Sequence, residues 1–246
     1  MFTPAHRDRL RDALIEAARA DQRITGAAVT GSAALGNEDA WSDVDLAFGI
    51  QGPDAMVGTV ADWTELMYRD HEAVHHLDVM AGASIYRVFL LANTLQVDLA
   101  FSPASEYGAI APSFRLLFGT SVERPQIAAP ALEQLIGYGW LYALHARSSI
   151  RRGRRWQGEY MISAVRDHVL ALACRRQGLP AAQGRGMDLL APEIREPLEA
   201  ALVRSLELEE LSRAFRVVID GLLREVREVD AALAERIDRP LRDLAK

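Results

Sequence analysis

The chain has 246 residues, 50% hydrophobic and 25% charged, with a formal net charge of −6 and one cysteine. That apolar fraction is too high for a disordered segment, and the length suits one large domain or two small ones. Cys174 alone cannot staple a secreted scaffold, no run reaches the roughly 18 apolar residues of a membrane span, and MFTPAHRDRLRDAL lacks a signal-peptide centre, so the expectation is a soluble, cytoplasmic protein.

The elements read in chain order as follows. Pro4 to about Ala20 has helical periodicity, with Thr3 as N-cap and Pro4 at the first position. Ile24–Thr30 is a short apolar run ending at Gly31 and reads as a strand. Val44–Ile50 reads as a second strand. Pro53 to about Asp70 is expected to be a helix, with Val57, Val60, Ala61 and Leu66 on one side. Ala73–Met80 suggests a third strand. Ser84–Leu91 and Leu95–Phe101, joined by Ala92-Asn93-Thr94, read as a hairpin. From about Pro130 strand signals vanish, and Pro130–Arg152, Trp156–Arg176, Pro192–Leu202 and Glu207–Ile237 read as helices, some of them broken. The fold class is therefore α+β, an N-terminal α+β domain followed by an all-helical one, with the boundary within the proline-bearing Ser102–Pro130.

Charge divides along the same line. Residues 1–110 carry 7 Arg and 16 Asp or Glu, whereas residues 111–246 carry 21 Arg or Lys and 18 Asp or Glu. Lys246 is the only lysine, so the basic residues reflect a composition bias, and a single Arg is weak evidence of function.

The segment Gly31–Leu46, GSAALGNEDAWSDVDL, carries the chemistry. A strand ends in Gly-Ser, a short small-residue turn follows, and a polar loop leads to Asp43-Val44-Asp45. Residues two apart on a strand share a face, so Asp43 and Asp45 point together while Val44 and Leu46 face the core. Adjacent carboxylates in apolar surroundings repel each other unless a cation compensates, and Mg²⁺, which takes oxygen ligands, is the natural one. Asp98 is the only charge in the strand LQVDLAF and lies opposite its apolar set. It fits as the third carboxylate around one or two metal ions. Gly31 allows backbone to approach a phosphate, and Ser32 offers a hydroxyl and helix-start N–H groups to an anion.

Gly-Ser, ten residues, Asp-x-Asp and a later strand Asp together resemble the nucleotidyltransferase superfamily with the DNA-polymerase-β-like palm. The motif lies within the first 110 residues. The helical second half is similar in plan to the small-molecule nucleotidyltransferases of the aminoglycoside and lincosamide type. The resemblance implies a mixed-sheet palm with flanking helices over residues 1–115 and a helical domain over 116–246. It also implies transfer of a nucleoside monophosphate from a triphosphate such as ATP to a small-molecule hydroxyl, with release of pyrophosphate. Gly31 and Ser32 would bind the nucleotide, and Asp43 and Asp45 would hold Mg²⁺. Asp98 would complete the metal site or accept the acceptor's proton; the sequence leaves both roles open. Alternatives are a protein or RNA acceptor, or a catalytically silent nucleotide-binding module. The negative charge disfavours RNA, and the presence of all three carboxylates disfavours the silent module. A homo-oligomer is compatible with the resemblance, since the cleft could be formed alone or shared across a dimer.

Secondary candidates have plainer alternatives. Glu159 could act as base or acceptor contact, or be an ordinary exposed first-turn acid. The group Arg151, Arg152, Arg154 and Arg155 could face phosphate, although a solvated interhelical turn is the preferred reading. Trp156 and Tyr160 could stack on a base, with core packing preferred. His71-Glu72-Ala73-Val74-His75 matches H-E-x-x-H, but it runs into a strand and has Asp78 where the longer zinc motif has Gly, so zinc is not expected. Cys174 is expected in the core.

Overall fold

The computed structural model describes residues 1–246 apart from the side chain of Pro53. It divides into two compact units, Met1–Ile127 and Ala128–Lys246.

In the first unit, helix α1 (Pro4–Ala20) starts where Thr3 Oγ1 accepts a hydrogen bond from the His6 N–H at 3.2 Å. Strand β1 (Ile24–Thr30) leads into the short helix α2 (Gly31–Leu35), then strand β2 (Val44–Ile50) and helix α3 (Pro53–Asp70). Strands β3 (Ala73–Ala81), β4 (Ser84–Leu91), β5 (Gln96–Pro103) and β6 (Phe114–Gly119) complete a six-stranded sheet in the order β3-β4-β5-β2-β1-β6. Only β2 and β5 pair in parallel. This is the mixed sheet with flanking helices that the sequence led one to expect.

One sheet face is sealed by α1 and α3. Leu10, Leu14 and Ala18 from α1, and Met56, Val60, Trp63 and Met67 from α3, pack on Val29, Leu46, Phe48, Leu99 and Phe101. The apolar stripe of α3 is not the one expected, because Val57 is 78% exposed and Ala61 also faces solvent. Trp63 sets the helix rotation, with its ring centroid 4.7 Å from that of Phe48. The opposite face is built of small residues, with Ala28, Ala47 and Ala100 aligned across β1, β2 and β5. Tyr107 covers them and donates from its hydroxyl to the Ala47 carbonyl at 3.2 Å.

Strand β6 lies in the segment expected to be linker. Its register with β1 runs from Gly26↔Gly119 to Thr30↔Phe114, so the expected boundary at 115/116 passes through a paired strand. The compact units separate at 127/128 instead. No apolar alternation marks FRLLFG; the pairing is supplied by the open edge of β1.

In the second unit, α4 (Leu132–Arg151), α5 (Arg155–Arg176), α6 (Pro192–Glu199), α7 (Leu208–Val229) and α8 (Ala231–Leu244) share one core. The helical stretch expected over 207–237 is broken into two helices. Asp230 is extended, with φ −148° and ψ 94°, and its side chain caps α8 by accepting from the Leu233 N–H at 2.8 Å. Cys174 is buried, as expected. No helix among the described residues is long and apolar enough to cross a membrane.

Glu225 on α7 is 2% exposed and accepts from Arg176 Nε and Nη2 at 3.2 and 3.1 Å. Removing the cation would strand a buried carboxylate. Arg176→Ala is therefore expected to destabilise by about 2–3 kcal/mol, below the fully buried case because Arg176 is partly exposed. Urea unfolding should show this as a lower midpoint.

Candidate active site

The site grows from two strands. Parallel pairing of β2 with β5 sets Asp45 opposite Asp98, flanked by Val44↔Val97 and Leu46↔Leu99. The flanking pairs point into the helix-covered core, so alternation sends both carboxylates to the open face. Asp43 stands one residue before β2. Ligand oxygens of Asp43, Asp45 and Asp98 all lie within 4.8 Å of one another, each side chain half-buried. An all-oxygen set of three carboxylates at this spacing fits a hard divalent cation.

Gly31 closes the other side. Its φ is +61°, in the left-handed region, and a Cβ added there would sit 2.0 Å from Asp45 Oδ2. The turn from β1 into α2 thus requires glycine twice, for conformation and for room beside the carboxylate. Ser32 follows in the first turn of α2, which ends at Gly36 with φ +71°.

Gln96 joins the candidate site, and no motif in the sequence singles it out. Its Nε2 donates to Asp98 Oδ1 at 3.0 Å and lies 3.4 Å from Asp43 Oδ2. The signal was present: Gln96 is two residues from Asp98 and shares its face.

Burial pushes the Asp98 carboxyl up to about 6; the Gln96 hydrogen bond opposes this and the nearby Asp43 charge adds to it. A proton therefore binds Asp98 more tightly in the folded chain than in the unfolded one. The stability this gives is present below pH 3.8 and is lost as pH rises through about 6.

The remaining expectations sort themselves by element. Glu159 lies on α5 in the second unit and accepts from Ser163 Oγ at 2.8 Å. Trp156 and Tyr160 are 76% and 67% exposed, so the expected core packing is wrong: their side of α5 leaves the bundle core to Gly158, Ile162 and Val165. The arginine group forms an exposed interhelical turn at Gly153, and Arg155 pairs with Glu207 at 3.1 Å. The H-E-x-x-H segment is not helical. Helix α3 ends at Asp70 and His75 is exposed on β3, so the two histidines do not share a helix face.

No protein-family model and no curated protein matches the chain. Among solved structures, the chain is similar to the crystal structure of an aminoglycoside 6-adenyltransferase from Bacillus subtilis. The two share 13% sequence identity over 95% of this chain and 96% of that one, with a TM-score of 0.40.

Two outcomes are expected. Asp98→Asn should raise the melting temperature of the metal-free protein at pH 7, by an effect on the order of 1–2 kcal/mol after allowance for solvent screening. The gain should vanish near pH 4, as differential scanning fluorimetry across pH would show. Gly31→Ala should leave the far-ultraviolet circular dichroism unchanged but weaken Mn²⁺ binding at least about tenfold, because its methyl group displaces Asp45.

Proposed function

We propose that the protein is a Mg²⁺-dependent nucleotidyltransferase that moves a nucleoside monophosphate from a triphosphate to a hydroxyl of a small molecule. The observation that carries this reading is the convergence of Asp43, Asp45 and Asp98 beside the Gly31–Ser32 turn. Three carboxylates crowded together are costly for a folded chain, and a site that retains them is suited to a cation and its anionic ligand.

Asp43, Asp45 and Asp98 would hold the metal, which when bound neutralises charge on the triphosphate. Gly31 and Ser32 would take the phosphate oxygens with backbone and hydroxyl donors. The acceptor oxygen attacks the α-phosphorus and a new P–O bond forms. The bond to the bridging oxygen breaks, and pyrophosphate leaves with its electron pair. The acceptor's proton must pass to a base. Asp98, whose carboxylate Gln96 orients, would take that role where Asp43 and Asp45 alone hold the metal. A nucleoside triphosphate such as ATP and a hydroxyl-bearing small molecule are the proposed partners.

The test is pyrophosphate release with Mg²⁺, a panel of nucleoside triphosphates and hydroxyl-bearing acceptors. Asp43→Ala and Asp45→Ala are each expected to lower turnover at least about 10³-fold. If the wild-type chain binds no nucleotide in the presence of Mg²⁺, the reading fails.

A further inference from the structure

Of the three carboxylates, two are placed by the sheet. Asp45 and Asp98 sit in strands whose backbone ladder fixes them. Asp43 precedes β2 and ends the loop from Gly36 to Ser42, which is largely exposed and takes no part in the hydrophobic core. Something else must hold that loop.

Helix α1 does. Arg7 is 4% exposed and is the one buried basic side chain among the described residues. Its Nη1 donates to the Asp39 carbonyl at 2.6 Å, and its Nε lies 3.5 Å from Glu38 Oε1. Asp8 Oδ1 accepts from Nε and Nη2 at 3.1 and 3.0 Å, so the guanidinium is held from both sides. One turn further, Arg11 grips the Glu38 carboxylate and approaches Asp8 Oδ1 at 3.2 Å. The loop then closes on itself. The Asp39 carboxylate accepts from the Trp41 N–H at 2.8 Å and from Ser42 Oγ at 3.1 Å, and the Asp39 N–H donates to Ser42 Oγ at 2.9 Å. Ser42 is bonded to Asp43 in the chain.

We propose that Arg7 is a positioning residue for metal binding: it pins the Asp39–Ser42 turn to α1 and thereby sets where Asp43 meets Asp45 and Asp98. The proposal rests on the carboxylate reading above and adds a part that the motif does not contain. A planar guanidinium suits this task because its Nε and Nη2 meet Asp8 while Nη1, on the far side of the fork, reaches the Asp39 carbonyl, whereas an ammonium offers its donors from a single atom.

The sign of the effect separates positioning from plain electrostatics. Removing a positive charge near a cation site strengthens cation binding by Coulomb's law. Loss of positioning weakens it. Mn²⁺ binding by the full chain, followed by electron paramagnetic resonance without nucleotide, reads this directly. Hydrogen exchange of the Trp41 amide reads the turn itself. Arg7→Gln is expected to weaken Mn²⁺ binding about tenfold and to speed that exchange, with Arg7→Lys between it and the wild type. Leu14→Ala, on the same helix, lowers the melting temperature by opening a core cavity and should leave Mn²⁺ affinity at the wild-type value. Arg7→Gln with unchanged or tighter Mn²⁺ binding overturns the proposal. If Arg7→Gln does not fold, Ser42→Ala, which cuts the turn without touching α1, must weaken Mn²⁺ binding, and an unchanged affinity there also overturns it. A wild-type chain that binds no Mn²⁺ overturns the carboxylate reading itself, and does so before any variant is compared.

Discussion

The parallel pairing of β2 with β5 is the constraint on which the candidate site depends. It sets Asp45 beside Asp98 and directs both to the face that the helices leave open. A slip of either strand by one residue would turn its carboxylate into the core and bring its flanking apolar residues to the surface. The core residues that flank the acids therefore fix the site. Val44, Leu46, Val97 and Leu99 are each 1% exposed or less, and their burial under α1 and α3 enforces the register.

That register has an electrostatic cost. The carboxylates are half-buried and close together, and the Asp98 carboxyl is pushed up to about 6 as a result. The open face beside the acids is a row of alanines under Tyr107, and Gly31 leaves no side chain where Asp45 needs space. Local destabilisation held in place by a well-packed scaffold is what a candidate functional site is expected to show.

The three acids are not held in the same way. Two are fixed by the hydrogen-bonded sheet, whereas the third depends on a polar loop and on arginines from α1. The N-terminal helix consequently has two separate roles. Leu10, Leu14 and Ala18 seal the core, while Arg7 and Arg11 reach past it to the loop. In a chain with 27 arginines, composition hides such a residue; burial at 4% is what distinguishes Arg7.

Much of this protein was legible in its sequence. A short apolar run placed β2, a hairpin pattern placed β4 and β5, and alternation in β5 made Asp98 stand out as the single charge in its strand, because these are local properties of the chain. The Gly-Ser turn and Asp-x-Asp pair were legible for the same reason. Other features were decided only by contacts between distant segments. Strand β6 exists because β1 has an edge to offer, and the division at 127/128 follows from it. The buried stripe of α3 was set by Trp63 fitting against Phe48 rather than by the count of aliphatic residues. Trp156 and Tyr160 face solvent because their helix buries its other side. The sequence by itself determined which residues are candidates for the chemistry. Tertiary structure decided which of them meet, because the distance between Asp45 and Asp98, or between Arg7 and Asp39, is set by packing across many intervening residues.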